Sequence, residues 1–155
     1  MAAPIFHALQ DSALAHLISK SHYLVGAGLQ VVHIAGLILL LAAVLLIDLR
    51  LLGQGLQRQT PQQVSRAAAG LIWIGLALAL SSGVLMFVSA AVKYADNPAF
   101  AVKLLLLAAV LPPQLWIQRR LGAGSKPPPF PRAVAASALL VWFSVAVAGR
   151  AIGFI

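Results

Sequence analysis

The sequence contains no cysteine and no glutamate, and its only acidic residues are Asp11, Asp48 and Asp96. Without cysteine the chain cannot form a disulfide, a thiolate zinc site or an iron–sulfur cluster, and it has no cysteine nucleophile. Three scattered carboxylates leave almost no material for acid–base chemistry built on carboxylate pairs. The chain also lacks a nucleophile–base set and a phosphate-binding loop, so we expect that it is not a complete enzyme alone.

Charge of either sign is scarce in this chain. Only 9% of its residues are charged, whereas about a quarter of residues are charged in an ordinary soluble domain. Hydrophobic residues make up 61% of the sequence, and the mean hydropathy is +0.96. The net charge of +8 lies mostly between long apolar runs, as in membrane proteins, rather than in a nucleic-acid-binding groove.

Four apolar runs are long enough to cross a membrane as helices, which takes about 20 residues. We therefore predict an all-α integral membrane protein, a bundle of four transmembrane helices within residues 21–155. Asn97 and Pro98 are typical of a helix start, and Pro112 and Pro113 predict a kink or break late in the third span. The predicted spans are about 24–47, 67–92, 99–117 and 133–150.

Residues 1–20 form a separate segment that lacks the basic start of a cleavable signal peptide. Its apolar residues can share one broad helical face, which predicts an amphipathic helix lying on the outer leaflet. These residues are Ile5, Phe6, Leu9, Leu14, Leu17 and Ile18.

Loop charge predicts the orientation of the spans. One set of span ends carries seven basic residues and the opposite set carries Lys20, Lys93, Lys103 and Arg150. Because cytoplasmic loops are enriched in Lys and Arg, we expect the first and third loops in the cytoplasm and both termini in the periplasm. The seven are Arg50, Arg58, Arg66, Arg119, Arg120, Lys126 and Arg132.

Ionisable residues inside a membrane are costly and therefore suggest a function. His33 lies within the first span, Lys103 lies near the start of the third, and Arg150 ends the fourth. The predicted topology places all three in the half of the membrane that faces the periplasm.

His33 has Gly26 and Gly36 on its own helical face, and this pattern suggests a slot for a flat ligand such as haem b. The alternative interpretation is a histidine that hydrogen-bonds a neighbouring helix, with the glycines allowing close helix packing. His22 is eleven residues earlier, and we expect it to be an interfacial polar residue rather than a second haem ligand.

Met86 lies at a similar depth in the second span, so a His33–Met86 pair is a candidate ligand set for haem iron or copper. Core packing is the alternative for Met86. Lys103 and Arg150 are candidates to bind haem propionates or a quinone carbonyl, and snorkelling to the interface is the alternative for both.

Several runs of the chain resemble an uncharacterised bacterial family of small four-span inner-membrane proteins. In layout the chain is also similar to the membrane domain of copper-resistance D proteins, with an early histidine, a late Ser-Gly and a lysine opening the third span. The runs that carry the resemblance are Val32–Gly36, Leu46–Gly53, Ser82-Gly83, Asn97–Phe100, Lys103–Leu106 and Gly149–Ile152.

The resemblance implies the fold and marks particular residues without implying an activity. The chain departs from the family late in the third span, where Pro112, Pro113 and Gln114 stand in place of an asparagine followed by a histidine. The residues that it marks are His33, Asp48, Arg50, Asn97, Lys103 and Arg150.

The function predicted from these features is a haem b-binding membrane subunit for electron transfer or anchoring between a periplasmic redox partner and quinone. One alternative is a copper-handling or transport protein that uses His33 and Met86. Another is a cofactor-free structural subunit. The expected partners are the lipid bilayer and either further copies of the chain or a larger membrane complex, with no nucleic acid.

Overall fold

All regular elements in the part of the chain that the structure describes are α-helices. The computed structural model describes residues 4–19 and 23–154, so Lys20 and His22 lie outside the described residues. Four of the helices, α3, α4, α6 and α7, are long and apolar enough to cross a membrane. This confirms the predicted all-α architecture with four spans. The helices are α1 Pro4–Gln10, α2 Ala13–Ser19, α3 Tyr23–Leu52, α4 Pro61–Ser89, α5 Ala91–Ala95, α6 Pro98–Gly122 and α7 Pro131–Ala151.

The helices α4 and α6 begin before the predicted apolar spans, at the side-chain caps of Thr60 and Asn97. At the start of α4, the Thr60 hydroxyl accepts a hydrogen bond from the Gln63 backbone N–H, at 3.2 Å. In return, the Gln63 side chain accepts one from the Thr60 backbone N–H, at 2.8 Å. This capping box fixes the helix start six residues before the predicted span. The predicted break in α6 is absent, since the helix continues through Pro112 and Pro113.

The four long helices alternate in direction, so α3 and α6 end where α4 and α7 begin. We call this the basic end, because it carries Arg50, Arg58, Arg66, Arg119, Arg120, Lys126 and Arg132. The opposite end is the N-terminal end. At the basic end, the Arg119 guanidinium lies 5.2 Å from the Trp73 ring and that of Arg120 lies 4.8 Å from the Trp116 ring. Such pairs suit the boundary between apolar and polar surroundings.

The N-terminal segment forms two short helices rather than the single amphipathic helix predicted. A turn at Ser12 separates them, and its hydroxyl accepts a hydrogen bond from the Ala15 backbone N–H. The segment packs on the N-terminal end of the bundle, where the Gln10 side chain accepts a hydrogen bond from Val92 N–H at 3.1 Å. Ile5 and Leu17 are exposed, and the location of the segment at the membrane interface stays a prediction.

The helices α3 and α4 cross closely at Gly36 and Gly75. A Cβ atom on Gly36 would lie 2.6 Å from the Ala79 nitrogen and 2.8 Å from the Gly75 oxygen. A Cβ atom on Gly75 would lie 2.7 Å from the Gly36 oxygen and 2.7 Å from the Leu40 nitrogen. Membrane helices associate closely through such small residues, because lipid supplies no hydrophobic force between them.

Adding a methyl group at this crossing should destabilise the bundle. Gly36→Ala forces the two backbones apart, and overpacking of this kind costs about 1–3 kcal/mol. Gly26→Ala is the matched control, since a Cβ atom at Gly26 meets nothing within 4 Å. Thermal unfolding of the detergent-solubilised protein should show a lower midpoint for Gly36→Ala alone, and equal midpoints for the two variants would contradict the described crossing.

Candidate functional site

His33 lies one turn before Gly36 on α3, so the close crossing turns its ring towards α4. The Nδ1 atom lies 2.9 Å from the Ala79 backbone oxygen and 3.2 Å from the Ser82 hydroxyl. A carbonyl oxygen only accepts, so Nδ1 carries the proton and donates it. Gly83 leaves space for the ring, since a Cβ atom there would lie 3.1 Å from the His33 Cε1 atom.

Lys103 of α6 approaches the other nitrogen of the same ring. Its Nζ atom lies 3.4 Å from His33 Nε2, which accepts because the ring proton is on Nδ1. The lysine stem runs along Gly149 of α7, where a Cβ atom would lie 3.5–3.7 Å from its last atoms. All four spanning helices therefore contribute to one polar group, the His33–Lys103 cluster, formed by His33, Ala79, Ser82, Lys103 and Gly149.

The His33–Lys103 cluster has hydrogen-bond donors and no carboxylate. No Asp is a hydrogen-bond partner of Lys103 among the residues that the structure describes. The buried Asp48 lies fifteen residues along α3, which corresponds to about 22 Å at 1.5 Å per residue. In an apolar medium the Nζ group therefore retains donor capacity for a carbonyl or carboxylate oxygen.

Aromatic rings lie between this cluster and the N-terminal end of the bundle. Phe100 precedes Lys103 by three residues on α6, and Phe87 follows Gly83 by four on α4. Their rings stack with centroids 5.5 Å apart, and the Phe6 ring packs edge-on against Phe87 at 6.2 Å. The rings form an apolar group on the N-terminal side of Lys103 and Gly83.

Asn97 fixes the start of α6 and thereby the position of Lys103 along the bundle axis. Its side-chain oxygen accepts a hydrogen bond from the Phe100 backbone N–H, and its amide nitrogen donates to the Ile152 carbonyl at 3.3 Å. One side chain thus caps α6 and links it to the end of α7. This confirms the helix start predicted at Asn97 and Pro98.

Gly36 allows close packing of α3 against α4, which is the alternative to a haem slot. The space beside it is filled by the backbone of α4, so no slot for a flat ligand opens at Gly36. His33 hydrogen-bonds the neighbouring helix, as the alternative interpretation expects. Gly26 lies nearer the N-terminal end with open space around it and does not join the cluster.

Two further predicted site residues lie outside the cluster. Met86 is half-buried, one turn beyond Gly83 towards the N-terminal end, and copper binding there stays a prediction. The described residues contain no group of three or more His, Cys, Asp or Glu that could hold a metal ion. Arg150 is exposed, and its guanidinium lies 4.1 Å from the Phe154 ring rather than near His33.

A second buried polar group lies near the basic end. The sequence analysis did not identify it as a site, although the family resemblance marks its Asp48. Asp48 of α3 is 1% exposed, and its Oδ1 atom accepts a hydrogen bond from the Gln114 amide at 3.3 Å. Gln118, one turn further along α6, is 5% exposed, and its backbone oxygen accepts from the Ser65 hydroxyl at 2.6 Å. Two amides spaced four residues apart in an apolar span were the available signal, because that spacing places both on one face.

These observations define a class of protein, a four-span helical membrane protein with a partly buried His–Lys cluster between its spans. Residues 6–155 match DUF6644, a family of unknown function, and the chain belongs to that family. This agrees with the expected membership of a family of small, uncharacterised four-span proteins. No curated protein and no solved structure matches the chain.

The hydrogen bonds of His33 predict its tautomer. In the neutral ring the proton should be on Nδ1, because the Ala79 carbonyl can only accept. Nitrogen NMR of protein labelled at histidine distinguishes this form from the Nε2–H form, and loss of one signal in His33→Gln assigns it among the four histidines. An Nε2–H signal from His33 would contradict the described contact with α4.

Proposed function

We propose that this protein is a membrane subunit for electron transfer whose His33–Lys103 cluster binds a redox cofactor that enters from the lipid. The observation that carries the proposal is the intramembrane Lys103 ammonium with no acidic partner among the described residues, held against a histidine. The one described acceptor of Lys103 Nζ is the uncharged Nε2 atom of His33, which does not balance the ammonium charge. An uncompensated charge inside a membrane is costly, so a structural role alone gives little reason to keep it.

A quinone head group suits the described geometry. Its carbonyl oxygen accepts from the Lys103 Nζ group, while His33 keeps the lysine in place through Nε2. The stacked rings of Phe87 and Phe100 give the cluster apolar neighbours towards the N-terminal end, which favours a lipid-soluble ligand. Lys103 and His33 are each only partly buried, so a ligand within the membrane can reach them.

Haem b is the second candidate, favoured by the anchored Nδ1 atom of His33. Histidines that ligate metals commonly donate their other ring N–H to a carbonyl or carboxylate, as His33 does to Ala79. Haem would supply one-electron chemistry when bound. Gly36 and α4 close one face of His33, so haem must approach from the side of α6, and Lys103 must turn away from Nε2.

Lys103→Met should remove the redox cofactor while the protein still inserts in the membrane. Lys93→Met is the matched control, because Lys93 is exposed near the same end of the bundle. We expect wild-type and Lys93→Met protein, purified in mild detergent, to release quinone into an organic extract, and Lys103→Met to release at least about tenfold less, equivalent to about 1.4 kcal/mol.

Absorption spectra of the same samples test haem b. A Soret band that is lost in His33→Ala would assign haem in place of quinone. If wild-type protein from a haem-replete host contains neither quinone nor haem, the electron-transfer proposal is wrong. The copper content of that sample then tests the pair His33 and Met86.

The proposal includes an orientation in the bacterial inner membrane with both termini in the periplasm. The charge at the basic end supports it, because basic loops are retained in the cytoplasm. Reporter fusions after Arg58 and after Ile155 should be active on opposite sides of the membrane, with the second in the periplasm. A reporter active in the cytoplasm after Ile155 would invert the topology.

A further inference from the structure

Asp48 is a buried carboxyl group that is only half satisfied by hydrogen bonds. Its side chain is 1% exposed, and Oδ1 accepts from Gln114, but Oδ2 is buried with no hydrogen-bond partner in the described structure. The side-chain oxygen of Gln118, one turn from Gln114, is also buried without a partner. Both atoms are acceptors, so each lacks a donor or a positive charge among the described residues.

Among the residues that the structure describes, no basic side chain is hydrogen-bonded to Asp48, although the basic end is rich in arginine. Each arginine on a helix packed near Asp48 has another described neighbour, and the sequence places no other acid there. The neighbours are the Gln59 carbonyl for Arg50, the Gly122 carbonyl for Arg66, the Trp73 ring for Arg119, the Trp116 ring for Arg120 and the backbone near Gly53 for Arg132.

The oxygen atoms available at Asp48 and Gln118 limit which ions can bind there. The described residues contain no group of three His, Cys, Asp or Glu, and a single carboxylate cannot balance a divalent ion in an apolar interior. Carboxylate and amide oxygens are hard ligands that suit a proton or a small alkali cation. Burial of an isolated carboxylate costs several kcal/mol, and one bound positive charge offsets part of that cost.

We propose that Asp48, with Gln114 and Gln118, forms a site for one monovalent cation, a proton or a sodium ion, near the basic end of the bundle. Gln114 of α6 orients the carboxyl group and leaves Oδ2 to bind the ion. The Ser65 hydroxyl, bonded to the Gln118 backbone, attaches this part of α6 to α4. The site is independent of the His33–Lys103 cluster and of the cofactor proposed there.

The wild-type protein can be tested with dicyclohexylcarbodiimide, a lipid-soluble reagent that modifies a carboxyl group while it carries a proton. The three aspartates make the modified position easy to identify by peptide mass. We expect labelling of Asp48 that is lost as the pH rises. If sodium shares the site, sodium chloride should slow labelling where choline chloride of equal ionic strength does not.

Asp48→Asn supplies the second arm of the test. The thermal midpoint of wild-type protein should depend on pH, or on sodium against choline, and this dependence should be lost in Asp48→Asn. Asp96→Asn should retain it, because Asp96 is exposed.

Labelling confined to Asp11 and Asp96 under every condition would overturn the proposal. Labelling of Asp48 at one rate at every pH and in both salts would also overturn it. Should Asp48→Asn fail to fold, the labelling of wild-type protein decides the question.

Discussion

The close approach of α3 and α4 at Gly36 and Gly75 is the constraint on which the candidate site depends. With the backbones almost in contact there, the next turn towards the N-terminal end places the His33 ring against the Ala79 carbonyl. A bulkier residue at either glycine would move that carbonyl out of hydrogen-bonding range. The nitrogen that faces Lys103 is therefore set by packing between two glycines.

Glycines on the facing helices make room for the two main side chains of the cluster, His33 and Lys103. Gly83 gives room to the His33 ring, and Gly149 gives room to the stem of Lys103. In hydrocarbon a polar side chain must find its partner within the protein, and a small residue on the facing helix gives a long side chain the room to reach it. Gly83 and Gly149 thus mark the places where the His33 and Lys103 side chains contact the neighbouring helices.

The number, type and order of the spans could be predicted from the sequence because the apolar runs are long and nearly free of charge. Helix ends were predicted less well, since hydropathy marks the lipid layer, whereas Thr60 and Gln63 form a cap that starts α4 earlier. The prediction of a single N-terminal helix was wrong, because the periodicity of the apolar residues carries no information about the turn at Ser12.

The site could be predicted only in part, for a physical reason. His33 and Lys103 were identifiable because charge and polarity are rare in a span, but their mutual contact depends on how α3 and α6 are rotated. Each span is apolar on all its faces, so its amphipathic pattern is too weak to predict how the helix is rotated about its axis. Gly36 was ambiguous for the same reason, since a ligand slot and a helix crossing require the same small residue.

The two buried polar groups differ in character, and their separation limits how they can work together. Donors dominate at His33 and Lys103, whereas unpartnered acceptors dominate at Asp48 and Gln118. Between them the inward face of α3 is apolar, with Leu40, Val44 and Ile47 packed in the core. No chain of hydrogen bonds joins the two groups through the described residues, and about 22 Å of helix separates them. Coupling between them would therefore require movement of helices, and α3 and α6 are the candidates because each contributes to both groups.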